Sequence, residues 1–165
     1  MINIVLVEPE IPQNAGNIVR TSAAIGANLY MVKPLGFEMS EKHFKRAGLD
    51  YFQLAHVYVI DSLQQLMDSN PDSTFYFAST KSKHTYDEVN YPDGCFVVFG
   101  KESYGLSETL LKKHYDNCIR IPMIGSARSL NLSNSVAIIA YEAMKQQGFD
   151  KLQEYGALTG RIEKD

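Results

Sequence analysis

The apolar positions of this chain fall into short unbroken runs separated by stretches with helical spacing. Residues 2–7 (INIVLV), 29–32 (LYMV), 57–60 (VYVI), 75–78 (FYFA), 95–99 (CFVVF) and 117–121 (NCIRI) read as strands. An uninterrupted apolar run fits a strand covered on both faces, as parallel strands are. Between the first two runs the spacing predicts a helix from about Ala15 to Ile25. It places Ala15, Ile18, Val19, Ser22 and Ala23 on one face and turns Asn17 and Arg20 away. Asn14 is a plausible N-cap there, and Gly26 a stop. A short helix is expected around Lys42–Arg46, one capped by Asp61 through about Met67, and one capped by Ser107 through about Lys113. A last long helix, about Ser133–Gln147, carries the stripe Val136, Ile139, Ala140 and Ala143 and closes at Gly148. Strands alternating with helices predict an α/β fold, a mostly parallel sheet flanked by helices.

At 165 residues one domain is expected, with its core in 1–148 and a terminal extension over 149–165, where the pattern is lost. No apolar run approaches the roughly 20 residues that span a bilayer. The start, MINIVLVEPE, lacks a basic lead and reads as a first strand, so the expectation is a cytoplasmic protein without membrane contact. A net charge of −3 argues against indiscriminate nucleic-acid binding but leaves room for basic patches at Lys42–Arg46 and at Lys81, Lys83 and His84. Cys95 and Cys118 lie in or beside apolar runs and read as small buried hydrophobes. The histidines are scattered and no paired ligand spacing exists, so no metal site is expected.

Two of the strand runs end in loops of small and polar residues that each open a helix, FGKESYGL (99–106) and IPMIGSARSLNLS (121–133). Strand ends of this kind are where an open parallel sheet holds its ligand. The first strand is followed by EPEIPQNAGN, with two prolines and no GxGxxG, so a dinucleotide at that turn is disfavoured. The same prolines disfavour a flavodoxin-like mononucleotide site.

Three stretches then stand out together: PQNAGNIVR (12–20), FGKESYGL (99–106) and IPMIGSARSLNLSNSVAI (121–138). They resemble the three motifs of the SPOUT class of S-adenosylmethionine-dependent RNA methyltransferases. Within that class the chain is similar to the small single-domain, TrmL-like tRNA 2'-O-methyltransferases of the wobble nucleotide. The resemblance covers residues 1 to about 148. It implies a deep C-terminal trefoil knot, a homodimer with the first and last helices at its interface and Tyr141 near the site, and S-adenosylmethionine as methyl donor. Its substrate would be the tRNA anticodon stem-loop. Ribosomal RNA methylation by the same chemistry and a non-catalytic RNA or nucleotide binder are the competing readings.

By the same resemblance Ala78, Gly100, Ile121, Met123, Ser129 and Leu130 would contact the cofactor. Gly100 would let the backbone approach closely, and Ile121, Met123 and Leu130 would supply apolar walls. Arg20, Glu102, Ser129 and Asn131 would carry the chemistry. A guanidinium stays protonated below about pH 12, so Arg20 suits phosphate grip and alkoxide stabilisation better than proton abstraction. Glu102 could hold Arg20 or the substrate, and Asn14 and Asn131 could be helix caps or hydrogen-bond partners of substrate. Lys81, Lys83, Arg128, Tyr141 and the cluster containing Arg46 are the RNA-contact candidates, the basic ones for phosphates. Aromatic stacking on loop bases is expected, without a choice among the ten tyrosines.

Overall fold

Strand pairing explains the unbroken apolar runs: every strand pair among the described residues is parallel, and the central runs at 3–6, 75–77 and 96–99 are buried on both faces, whereas Tyr58 and Val59 of the edge run at 57–60 are exposed. The computed structural model describes residues 1–39, 51 and 54–158. Among these, the strands are β1 (Asn3–Val7), β2 (Asn28–Val32), β3 (His56–Ile60), β4 (Phe75–Ala78), β5 (His84–Thr85), β6 (Phe96–Phe99) and β7 (Cys118–Arg120). They form one sheet in the order β3-β2-β1-β6-β4-β7-β5. The helices are α1 (Pro12–Ile25), α2 (Leu63–Asp68), α3 (Glu108–Lys113) and α4 (Leu132–Gln146), with a single 3-10 turn at Tyr115–Asn117. No described helix is long and apolar enough to cross a membrane.

Alternation along the strands sorts the core into two layers. Ile4 and Leu6 of β1 and Val97 and Phe99 of β6 join Ile18 and Val19 of α1 and Val136, Ile139 and Ala143 of α4. Val5, Phe96 and Val98 face the other way, against Phe75, Phe77 and Leu111, with Leu63 and Leu66 of α2 packed on them. Ile18 and Val136 are fully buried. Cutting such a side chain back to alanine typically costs about 2–5 kcal/mol for Ile.

Three expectations are corrected. Helix α1 begins at Pro12 and not near Ala15, and its N-cap is Ile11, with no side-chain cap of its own. Proline suits the first helical position because its missing N–H leaves nothing unsatisfied there. Asn14 is therefore inside the helix, and buried. Helix α2 is capped by Ser62, whose side chain accepts from the Gln65 backbone N–H, and not by Asp61. A two-residue strand, β5, was not legible, being too short to show a period; it pairs with β7 through His84 and Thr85. The helix expected at Lys42–Arg46, and with it Arg46, lies outside the described residues. Of the terminal extension, Phe149 and Leu152 pack against the core.

Candidate active site

The C-terminal ends of β4, β6 and β7 open into one cavity of about 650 Å3. That lies within the roughly 300–1,000 Å3 usual for small-molecule sites. The sheet order explains the convergence, because β6 and β7 are the two neighbours of β4. Their three following loops must leave the sheet side by side.

The loop after β6 turns back on itself at once. Lys101 and Gly105 form an antiparallel bridge, with Gly105 N–H donating to Lys101 C=O at 2.8 Å. A Cβ placed on Gly100 would stand 2.0 Å from the Gly105 carbonyl carbon and 2.2 Å from the Leu106 nitrogen. Only glycine fits, because the backbone of Gly105 and Leu106 occupies the place of a Cβ, and this close-packed turn lines the cavity. Gly105 itself takes φ +69°.

A second set of contacts ties this loop to the segment after β1. Lys101 Nζ meets Glu8 at 2.8 Å, and that hydrogen bond raises the lysine pKa. Glu10 accepts from the Ser103 N–H and hydroxyl, each at 2.9 Å. Glu102 returns the favour: its carboxylate accepts from the backbone N–H of Glu10 at 2.8 Å and of Ile11 at 3.2 Å, and from Asn14 Nδ2 at 3.0 Å. A carboxylate at the start of α1 also suits the positive end of the helix dipole. Asn14 Oδ1 accepts from Asn131 Nδ2 at 3.0 Å. Asn131 Oδ1 in turn caps α4, accepting from the N–H groups of Ser133 at 2.9 Å and Asn134 at 3.4 Å. One hydrogen-bonded chain thus links all three motif stretches.

Of the residues expected at the site, Ala78, Lys81, Gly100, Glu102, Ile121, Met123, Arg128, Ser129, Leu130 and Asn131 all line the cavity. Arg20 and Tyr141 do not. Arg20 is exposed on α1, its guanidinium over the Tyr51 ring at 4.7 Å and 3.4 Å from the Tyr51 hydroxyl. Of the two partners considered for Glu102, Arg20 is not one it meets: its carboxylate is engaged at the start of α1. Asn131 is a helix cap and Asn14 is not. Lys83 lies outside the cavity lining and pairs with Asp116 at 2.6 Å.

Lys101, Tyr104 and Arg120 line the cavity and were missed. Lys101 and Tyr104 lie within FGKESYGL and Arg120 in the strand before IPMIG, so their positions were in view. Nothing local in the sequence says which side chains of a loop face inward.

Lys81 pairs with Glu108 at 2.5 Å, which holds the Glu108 carboxyl below its usual range. Arg120 and Arg128 form no ion pair among the described residues. Burial pushes the Cys95 thiol up to about 11, so it stays protonated and unreactive near neutrality. No described cluster of His, Cys, Asp and Glu could hold a metal ion.

The chain matches the SpoU rRNA methylase family over residues 1–141. A tRNA (cytidine(34)-2'-O)-methyltransferase of Saccharophagus degradans is 41% identical over 150 residues, covering 90% of this chain and 97% of that protein. A Listeria monocytogenes protein provisionally given the same name is 46% identical over 153 residues, covering 91% of this chain and 90% of its own. A structure from work on 2-OH methylation of C/U34 on tRNA superposes with a TM-score of 0.85 at 39% identity, covering 90% of this chain and 97% of that one.

Proposed function

This chain belongs to the SpoU methylase family, and we propose that it methylates the ribose 2'-hydroxyl of the wobble nucleotide, position 34, of a tRNA in the cytoplasm. The relatives' names support the reaction and its target nucleotide. The observation that carries the reading to this chain is the cavity at three strand ends, with the tightly packed Gly100 turn and the motif residues around its lining.

The cavity fits S-adenosylmethionine in size and chemistry. Backbone groups of the cavity-lining residues Gly100 and Ile121 would meet the adenine edge, and Ile121, Met123 and Leu130 would wall the ring. When bound, the cofactor supplies a methyl group already activated on a sulfonium. The chain's own residues then have to align the ribose hydroxyl and stabilise its developing negative charge. Alignment alone can be worth about 7–11 kcal/mol of barrier. The Ser129 hydroxyl has no hydrogen-bond partner among the described residues and is available to substrate or cofactor. Asn131 keeps one Nδ2 hydrogen beyond its bond to Asn14.

Arg20 completes the site in this reading as a phosphate grip and alkoxide stabiliser. It lies outside the cavity of its own chain, and the reading has a second copy bring it there. We place α1 and α4 at the interface of a homodimer, where Ile138 and Tyr141 leave an exposed apolar stretch of α4. The same reading includes the C-terminal trefoil knot, supported by family membership, and the anticodon stem-loop as the recognised part of the tRNA.

Incubating the protein with labelled methyl donor and separate tRNA and ribosomal RNA pools tests the reading. Label in tRNA, mapped to the ribose of nucleotide 34, is expected. Label confined to ribosomal RNA would overturn it.

A further inference from the structure

We propose that Tyr104 is a stacking platform for an unpaired base of the substrate RNA, set beside Arg120 and Arg128, which take the flanking phosphates. The inference rests on the RNA methyltransferase reading and names how that site holds its substrate.

Tyr104 lines the cavity yet is 86% exposed. Its ring is a large apolar surface left in water beside the place where the chemistry is expected. It is not carried on a loose tip. On one side Ser103 is fixed to Glu10 through both N–H and hydroxyl. On the other, Gly105 N–H is fixed to Lys101 C=O at 2.8 Å. The backbone is thus ordered before anything binds, and a tyrosine side chain has only two χ angles to fix. Stacking on it costs little conformational entropy.

Charge selects the partner. On a chain of net charge −3, the cavity is lined by Lys81, Lys101, Arg120 and Arg128 against the single carboxylate of Glu102. Lys81 and Lys101 are paired to Glu108 and Glu8. Arg120 and Arg128 form no ion pair among the described residues and are left to meet an anion. An exposed aromatic face lining the same cavity as these guanidinium groups matches a single-stranded nucleotide, whose base has a π-face and whose backbone is anionic.

The chain contains no tryptophan, so Tyr104→Trp installs a single reporter. An anticodon stem-loop RNA is expected to quench its fluorescence, while S-adenosylhomocysteine alone leaves it nearly unchanged. Tyr104→Ala is expected to raise KM for tRNA about tenfold or more with cofactor Kd within about twofold, and Tyr104→Phe to behave like wild type. Three results would overturn the proposal: an unchanged KM in Tyr104→Ala, a full quench by S-adenosylhomocysteine alone, or a loss of dimer in Tyr104→Ala by sedimentation. The titration needs no turnover, so it reports on Tyr104, whereas transfer by the wild-type protein reports separately on the methyltransferase reading.

Discussion

Asn131 donates its side-chain amide to Asn14 Oδ1 at 3.0 Å, across 117 positions of chain. The direction of that bond is forced. Asn131 Oδ1 must face the first N–H groups of α4, so its Nδ2 faces Asn14. Asn14 then presents Oδ1 to Asn131 and Nδ2 to the Glu102 carboxylate. Every donor in the series points toward Glu102.

Asn14→Asp should therefore be worse than Asn14→Ala. The aspartate would set a second negative acceptor against Glu102 and remove the donor Glu102 faces. We expect a loss of about 2 kcal/mol or more for Asp and nearer 1 for Ala. The larger loss corresponds to a melting shift of roughly 4–8 °C for a domain of this size. Thermal melts at pH 7 check this, and the gap between the two variants should narrow at about pH 4, as carboxylates protonate. Equal melts would contradict the assigned bond directions.

Gly100→Ala should weaken cofactor binding. Its Cβ would fall 2.0 Å from the Gly105 carbonyl carbon, a distance backbone cannot accept, so the loop must move. Gly125→Ala is the control, because a Cβ there meets nothing within 4 Å. Calorimetric titration with S-adenosylhomocysteine should show at least about a tenfold weakening for the first variant, about 1.4 kcal/mol. Affinity should be unchanged for the second.

Arg20→Ala should eliminate methyl transfer while cofactor affinity stays within about twofold of wild type. If Arg20 acts across a dimer, mixing Arg20→Ala with Gly100→Ala subunits should recover about a quarter of the wild-type rate, since half the dimers are mixed and each has one intact site. Transfer assays on the mixture decide it; no recovery from subunits shown to exchange would place Arg20 in its own chain's site.

Stability should fall on mild acidification through His114. Its ring stacks on Phe77 at 4.8 Å, and its Nε2 is buried without a hydrogen-bond partner among the described residues. Burial lowers its pKa from the usual 6.5. The unfolded chain then binds a proton that the folded chain resists, so stability present above about pH 6.5 is lost as pH falls toward the lower folded value. Urea midpoints should drop between about pH 7 and 5, and less so in His114→Phe. The same slope in both proteins would exclude His114 as the cause.

Much of the site was legible because it is written in contiguous stretches. FGKESYGL and IPMIGSARSLNLS each show a strand, a break and a helix start, and these do line one cavity. Glu102 shows the limit. It was marked as the acid of the site, with Arg20 or substrate as its partner, but its contacts with the N–H groups of Glu10 and Ile11 were not foreseen. The same contact explains the misplaced start of α1. Asn14 looked like the cap by local rules, while the carboxylate actually serving that helix end comes from 91 positions away.

By itself the sequence determined the α/β alternation, the buried faces of α1 and α4, and which loops are built of small and polar residues. These follow from periodicity and side-chain chemistry within a few positions. Tertiary structure alone decided that β6 and β7 flank β4, and so which side chains face one another across the cavity. It set Glu102 against α1, Asn14 against Asn131, and Tyr104 into solvent at the lining. Contacts of that kind depend on strand order, which brings distant segments together and leaves no local period in the chain.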